Sequence, residues 1–277
     1  MAPSPHLTSI KGFDGRLVEA LLDEALALPY PRPVLGISGL QGSGKSTLAG
    51  QLVAAGKHRG AAVVAMSLDD FYLGRRERLA LAKTVHPLLA TRGPPGTHDL
   101  GLAHASLDAL KNMQTGETIQ LPRFDKLLDS RLPPSKWRRI TTRPRMVVFE
   151  GWCLGVTPED ETSLPEPINA LEREQDAASI WRRYCNHRLA DYQPLWRRID
   201  RLVFLQPPGF DIVPSWRWQQ EQAMQALRHG KSGLDQKNIE RFVQLFERVS
   251  RQALRTLPDL ADRVLAMDAS RRIHWPP

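Results

Sequence analysis

The stretch Gly39-Leu40-Gln41-Gly42-Ser43-Gly44-Lys45-Ser46 constrains this chain more than any other. Two glycines five residues apart, followed by Lys and Ser, form the pattern of a loop that cradles phosphate. The apolar run at 34–37 reads as a buried strand leading into it, and Thr47-Leu48-Ala49 continues as a helix. Each residue type has a physical reason. Glycines permit positive φ and close approach of the backbone to an anion. The loop amides and the helix N-terminus offer partial positive charge. Lys45 can reach the β- and γ-phosphates of a nucleotide, and Ser46 can ligate Mg²⁺. A random chain of this length matches the pattern roughly once in a hundred. The alternative is a glycine-rich strand-to-helix turn, and the strand before and helix after weigh against it. The nucleotide-binding set is therefore Gly39, Gln41, Gly42, Ser43, Gly44, Lys45, Ser46 and Thr47, with ATP and Mg²⁺ as the implied cofactors.

At 277 residues and 42% apolar composition, the chain is long enough for one large α/β domain with a real core. No apolar run approaches membrane-spanning length, so no membrane partner is expected. The first six residues lack the charged-then-apolar order of a secretory signal. The two cysteines, Cys153 and Cys185, have no metal-type spacing. A reducing, cytoplasmic setting is the simplest fit. The net charge of +8 suits anionic small molecules or nucleic acid. The charge is scattered rather than blocked, so a solvated basic surface is the commoner explanation and nucleic acid is not expected as a partner.

Apolar spacing predicts an amphipathic helix over 13–29, ended by Pro31 and Pro33. After the phosphate loop and its helix, a turn is read at 56–60 and a second buried strand at 62–68. That strand ends in Asp69-Asp70-Phe71-Tyr72. In open parallel sheets ligands sit beyond the carboxyl ends of the strands. Neighbouring strands lie roughly 5 Å apart, so a carboxylate here can face the phosphates. Consecutive side chains in extended backbone point opposite ways, so one of the two aspartates faces the reaction. A turn or cap role suits Asp70 better than Asp69.

A short charged helix follows at 75–83, then a turn-rich loop at 92–100 carrying Arg92, His98 and Asp99. These groups can bind an anion and hydroxyls; equally, Thr97 or Asp99 can cap the helix predicted at 100–110. A strand is predicted at 118–124, running into Arg123, Asp125 and Lys126. Residues 127–144, basic and broken by prolines, read as an excursion from the core. A third buried strand at 145–149 is followed by Glu150, where a carboxylate can hold Mg²⁺ or position the nucleophile. Beyond an exposed loop at 153–170, one long helix is predicted at 171–192, whose Trp181 and Tyr184 read as packing residues. A strand at 201–205, a helix at 211–228 broken by Gly230-Lys231-Ser232-Gly233, a helix at 235–257 and a last strand at 263–267 complete the chain. The basic helix opening with Trp216-Arg217-Trp218 can act as a lid with Arg217 reaching in. Arg217 can equally be a surface arginine lying over tryptophan.

Several stretches together resemble a known family. They are Ser-Leu-Asp-Asp-Phe-Tyr-Leu at 67–73, Arg-Gly-Pro-Pro-Gly-Thr-His-Asp-Leu at 92–100, Leu-Pro-Arg-Phe-Asp-Lys at 121–126, Val-Phe-Glu-Gly-Trp-Cys-Leu-Gly at 148–155 and Trp-Arg-Trp-Gln-Gln-Glu-Gln-Ala-Met at 216–224. The chain resembles the P-loop D-glycerate 3-kinases of plant and fungal type, within the group that contains uridine kinase, phosphoribulokinase and pantothenate kinase. The resemblance runs from about residue 33 to 270. It implies Asp69 as the catalytic carboxylate, Glu150 as the acid on the metal side with Ser46, and Arg217 as a lid arginine. It makes Asp70, Tyr72, Arg92, His98, Asp99, Arg123 and Asp125 candidates for the acceptor pocket. One departure is Ser215, where the resemblance leads one to expect a second basic lid residue. The segment before residue 33 lies outside the resemblance, and no plastid-type targeting extension is expected in it.

The expected fold is an α/β P-loop NTPase: a mainly parallel sheet, helices on both faces and a helical lid. The expected organisation is an N-terminal helical segment at 1–32, then a kinase domain at 33–277 with its lid around 211–235. The expected activity is transfer of the ATP γ-phosphate to a small-molecule acceptor, D-glycerate, giving 3-phosphoglycerate. The alternatives are a uridine kinase-like or other small-metabolite kinase, and an ATP-binding regulator without catalysis. A regulator needs the phosphate loop but neither Asp69 nor the 92–99 pocket, and their presence favours the enzyme.

Overall fold

Five runs of apolar residues, too continuous for a sheet wetted on one side, assemble into one parallel sheet buried on both faces. In the computed structural model, which describes residues 12–227 and 235–273, the strands are β1 (Val34–Gly39), β2 (Val63–Ser67), β3 (Met146–Gly151), β4 (Arg201–Gln206) and β5 (Arg263–Ala266). Their order is β2-β3-β1-β4-β5, with every pairing parallel. The helices in chain order are α1 (Gly15–Leu26), α2 (Lys45–His58), α3 (Arg75–Thr84), α4 (Leu100–Asn112), α5 (Ala170–Gln175), α6 (Ile180–Trp196), α7 (Val213–Leu227) and α8 (Gln236–Leu260).

Alternation along the strands sends side chains to two apolar layers. Leu35 and Ile37 of β1, Val148 of β3 and Val203 and Leu205 of β4 pack with α1 and α2. Val34, Val147, Phe149, Leu202 and Phe204 pack on the opposite face with α4, α6 and α8. Helix α1 buries Leu17, Val18, Leu21, Leu22 and Ala25 in the first of these layers. Cys153 and Cys185 are buried free thiols. Among the described residues no helix is long and apolar enough to cross a membrane.

The register places the chemistry. Ile37 of β1 and Ser67 of β2 both sit opposite Glu150 of β3, so three strands deliver their carboxyl ends to one edge. The phosphate loop, the Asp69 turn and Glu150 all leave the sheet there.

Three local expectations are corrected. The single helix over 171–192 is two helices, α5 and α6. Buried Asp176 stops the first and starts the second, its carboxylate accepting from the amides of Trp181 (2.8 Å) and Arg182 (3.1 Å). The Arg182 guanidinium, 3.0 Å away, neutralises it, and Ser179 takes φ +57° at the break. No glycine or proline marks the position, so the apolar spacing reads straight through. The strand over 118–124 spans only Ile119–Leu121, because Pro122 has no N–H to continue the ladder. Residues 119–121 pair antiparallel with 138–140, and 124–125 pair with 130–131, so the excursion is two short hairpin ladders. Finally, Gly56 lies within α2, where a Cβ would sit 2.3 Å from Val63, and the turn falls at 59–60. The break expected at 230–233 lies outside the described residues, as do residues 1–11.

Candidate active site

At the end of β1 the chain turns through Gly42 (φ +84°) and Gly44 (φ +93°) before α2 starts at Lys45. These left-handed positions aim successive amides into one concavity, an arrangement that binds anions. Space matters as much as φ at Gly42, where a Cβ would lie 2.6 Å from the Cβ of Trp216 on α7. Lys45 folds back across the loop and donates to the Leu40 carbonyl at 3.0 Å. Burial pushes its ammonium pKa down, and Glu150 and Asp69 oppose that shift. Gln41 and Ser43 carry buried side-chain polar atoms with no hydrogen-bond partner among the described residues. Thr47 stands half-buried in the first turn of α2. The unpartnered Gln41 Nε2 and Ser43 Oγ, both able to donate, lie in the same loop as Lys45 and suit a polyanion.

Ser46 donates to Glu150 Oε1 at 2.9 Å. Burial pushes the Glu150 carboxyl pKa up, while Lys45 and the hydroxyls of Ser67 and Ser46 pull it down. Among the described residues no group of three or more His, Cys, Asp or Glu side chains forms a ready-made metal cage. A hydroxyl beside one carboxylate is the hard-oxygen donor set that Mg²⁺ completes with water and phosphate oxygens.

Asp69 lies in the single 3₁₀ turn Leu68–Phe71, whose start is capped by the Ser67 hydroxyl accepting from the Asp69 amide at 3.3 Å. Its two carboxylate oxygens are both engaged. Tyr72 OH donates to Oδ1 at 2.6 Å and Lys126 Nζ to Oδ2 at 2.5 Å. Burial pushes this carboxyl up, but Lys126 and Tyr72 outweigh it and hold Asp69 well below the ordinary carboxylate range. Asp70 diverges from its neighbour as expected, but through the 3₁₀ turn and not through strand alternation, because the strand has already ended at Ser67. It accepts from the Phe124 amide at 3.2 Å and lines a cavity of about 340 Å³ with Ser46, Arg123, Arg138 and Glu150. Burial raises its pKa.

The 92–99 loop is bonded to the Asp69 turn. Leu73 donates to the Thr97 carbonyl at 2.9 Å and Asp99 to the Phe71 carbonyl at 2.7 Å. This brings the His98 ring 4.8 Å from the Tyr72 ring, with Phe124 edge-on to Tyr72 at 5.1 Å. His98 Nδ1 lies 2.7 Å from Tyr192 OH, which also accepts from the Gly96 amide at 3.0 Å. His98 Nε2 is buried and has no partner among the described residues. Burial, opposed by Asp69, pushes the ring pKa down to about 4. Arg92 is paired with Asp129 at 2.6 Å and lies over the Phe124 ring at 5.7 Å. Arg217, on α7, donates to Gln220 at 2.7 Å. Burial lowers its guanidinium pKa, and the fields of Glu221, Asp69 and Tyr72 oppose that shift.

The structure thus brings together Lys45, Ser46, Asp69, Tyr72, Arg92, His98, Glu150 and Arg217. Asp99 is engaged elsewhere, capping α4 at the Leu102 amide (2.9 Å) and pairing with Arg131 (3.0 Å). Asp125 accepts from the Leu127 and Leu128 amides of its own turn. Arg123 is exposed on the Asp70 side. Sequence reasoning missed four contributors: Lys126 on Asp69, Tyr192 behind His98, Asp129 beside Arg92, and Arg271. Arg271 donates to the Gly42 carbonyl at 2.6 Å and to Gln219 at 2.8 Å while stacking on Trp216 at 4.8 Å, which ties α7 to the phosphate loop. Only Lys126 had a local signal, as a charge at a strand end.

A phosphate loop, an ionised aspartate at the same sheet edge beyond β2, which β3 separates from β1, and cations around it define a P-loop kinase on an α/β sheet. No family model matches the chain. It is 37% identical over 223 residues to the uncharacterized kinase mug58 of Schizosaccharomyces pombe, covering 78% of this chain and 79% of that protein. It is 31% identical over 253 residues to the chloroplastic D-glycerate 3-kinase of Arabidopsis thaliana, covering 86% of this chain and 52% of the plant protein, about half its length. Among solved structures, D-glycerate 3-kinase from Cryptococcus neoformans superposes with a TM-score of 0.74 at 28% identity, over 94% of this chain and 96% of that one. The chain belongs to the D-glycerate 3-kinase family of P-loop kinases and is a phosphotransferase with an alcohol acceptor.

The His98 environment generates a stability prediction. The unfolded ring takes a proton near pH 6.5, the folded ring only near pH 4. Between those values the unfolded state binds more protons, so stability falls as pH drops from about 6.5 to about 4. Urea titrations across this window should show that slope, and His98→Gln should flatten it. An unchanged slope in the variant would contradict a buried neutral imidazole.

Proposed function

We propose that the protein transfers the γ-phosphoryl group of Mg·ATP to D-glycerate, giving 3-phosphoglycerate. The observation that carries this reading is Asp69, a carboxylate held ionised between Tyr72 and Lys126 at the edge where the phosphate loop ends. The family's plant and fungal members named D-glycerate 3-kinase support the acceptor. Glycerate is small, carries one carboxylate and offers a primary hydroxyl. A site for it needs a cation for the carboxylate and polar groups for the hydroxyls. Arg92, Lys126 and His98 Nε2 supply these around Asp69.

Loop amides, Lys45 and Thr47 hold the phosphates, and Ser46 and Glu150 are the residues that would hold Mg²⁺. The metal, when bound, neutralises charge on the phosphate oxygens. Asp69 orients the acceptor hydroxyl and takes its proton as the oxygen attacks the γ-phosphorus. Arg217 faces the transferring group from α7, which we assign as the lid within 211–235; residues 228–234 of that stretch lie outside the described residues. Closure of such a lid excludes the water that would otherwise hydrolyse ATP. Asp99 and Asp125 act on the acceptor site through its scaffold, by capping α4 and the 125–128 turn. Arg123 and Asp70 border the metal side through the adjoining cavity. The kinase domain runs from residue 33, with α1 braced against α2, and works in the cytoplasm.

A nucleoside acceptor would need a slot between aromatic rings. Tyr72 and Phe124 are buried and pack edge to face, and His98 lies against Tyr72. These rings fill one another's faces, which favours the smaller acceptor over uridine.

Two measurements test this. ADP release coupled to product identification, run with D-glycerate, L-glycerate and uridine, should show turnover of D-glycerate to 3-phosphoglycerate. Turnover of uridine with none of D-glycerate would refute the acceptor while leaving the kinase class intact. Separately, Asp69→Asn should lower turnover by about 10²–10⁴ with ATP binding retained, and Asp70→Asn should lower it less. The reverse ranking would transfer the role to Asp70.

A further inference from the structure

Lys126 sits in the turn of the hairpin whose strands are Phe124–Asp125 and Ser130–Arg131. Its ammonium contacts Asp69 Oδ2 at 2.5 Å, yet its side chain is 58% exposed. The next two residues, Leu127 and Leu128, are 67% and 68% exposed, so nothing packs this side of the turn down. The other side is fixed, because Asp129 is tied to Arg78 at 2.7 Å and to Arg92 at 2.6 Å. Lys126 is thus a long, solvated side chain on an anchored turn, its ammonium set on the carboxylate that faces the phosphate loop. An ion pair this exposed contributes little to folding, so stability does not explain the placement.

The remaining cations around the centre are held by other groups. Arg92 is paired with Asp129, Arg131 with Asp99, and Arg217 is bonded to Gln220. Lys45 is buried against the Leu40 carbonyl. Lys126 is the cation whose partner is the reacting carboxylate itself. While it stays there, Asp69 has an ammonium on one oxygen and a phenol on the other, and its basicity is quenched. An incoming acid brings a second carboxylate within the sweep of the flexible lysine stem.

We propose that Lys126 is the receptor for the acceptor's carboxylate: an anionic hydroxy acid draws the ammonium off Asp69 Oδ2, and the released carboxylate then takes the proton of the acceptor hydroxyl. The inference rests on the reading of the protein as a kinase of a small hydroxy acid. The transfer balances simply. The acceptor oxygen bonds to the γ-phosphorus as the bond from that phosphorus to the β,γ-bridging oxygen breaks. The hydroxyl proton passes to Asp69, and ADP leaves with the electron pair. Two properties follow from one residue. Neutral alcohols cannot draw Lys126 away and are poor acceptors. Water carries no anion either, so ATP is protected from hydrolysis when the acceptor is absent.

The test uses the full chain with Lys126→Met and Lys126→Arg, measuring ADP release with D-glycerate, with its neutral amide glyceramide, and with no acceptor. In Lys126→Met the KM for D-glycerate should rise about 10- to 100-fold, the loss expected for one charge-assisted bond, while the KM for ATP stays within about twofold. The preference for D-glycerate over glyceramide should narrow by a similar factor, and acceptor-free ATP hydrolysis relative to transfer should rise. Lys126→Arg keeps the cation and should retain the preference. An unchanged preference in active Lys126→Met, or an equal loss for both acceptors, overturns the role of Lys126 alone. A wild-type enzyme that turns over no D-glycerate overturns the acceptor reading beneath it.

Discussion

A buried ammonium at the carboxyl edge of the sheet is the constraint on which the rest of the structure depends. Lys45 is only 9% exposed and donates to a carbonyl of its own loop. A charge so placed is costly unless opposite charges lie nearby. Glu150 and Asp69 supply them, and each comes from a different strand end. The parallel register that sets Ile37 and Ser67 opposite Glu150 is therefore also the device that makes Lys45 tolerable. A polyphosphate would complete the compensation, because the buried side-chain polar atoms of Gln41 and Ser43 have no protein partner among the described residues.

The site has two halves of different construction. The phosphate side is built on regular elements, β1, α2 and β3, with Arg271 linking the Gly42 carbonyl to α7. The acceptor side is built on loops, which is where a fold shared by many kinases can vary its substrate. Those loops are nonetheless pinned. Backbone bonds join 71–73 to 97–99, and Tyr192, from α6, fixes the His98 ring through the buried face. The hairpin carrying Lys126 is anchored at Asp129 and open at Leu127 and Leu128, so this side has one movable charge on a firm base.

What could be read from the sequence is what depends on local pattern. The phosphate loop, the five strands and the acidic residues at their ends follow from residue type, spacing and apolar runs. The divergence of Asp69 from Asp70 is expected from strand alternation, but it arises in the 3₁₀ turn Leu68–Phe71 that follows the strand. What could not be read depends on contacts between distant positions. Lys126 meets Asp69 across 57 residues, Tyr192 meets His98 across 94, and Arg271 meets Gly42 across 229. Asp99 and Asp125 illustrate the opposite case. Their residue type suits both a ligand and a cap, and only the folded chain shows their oxygens bonded to the Leu102, Leu127 and Leu128 amides. The division of 171–192 into two helices is local, set by the Asp176 carboxylate accepting from the Trp181 and Arg182 amides, but no glycine or proline marks it in the sequence.

The claim that one sheet edge holds both the phosphoryl donor and the acid that receives the proton is tested most directly by a crystal structure. The complex should contain Mg²⁺, a non-hydrolysable ATP analogue and D-glycerate. The account predicts the primary hydroxyl of glycerate within hydrogen-bonding distance of the Asp69 carboxylate and in line with the γ-phosphorus. Glycerate seated instead in the cavity of Asp70, Arg123 and Arg138, with Asp69 remote from its hydroxyls, would contradict it.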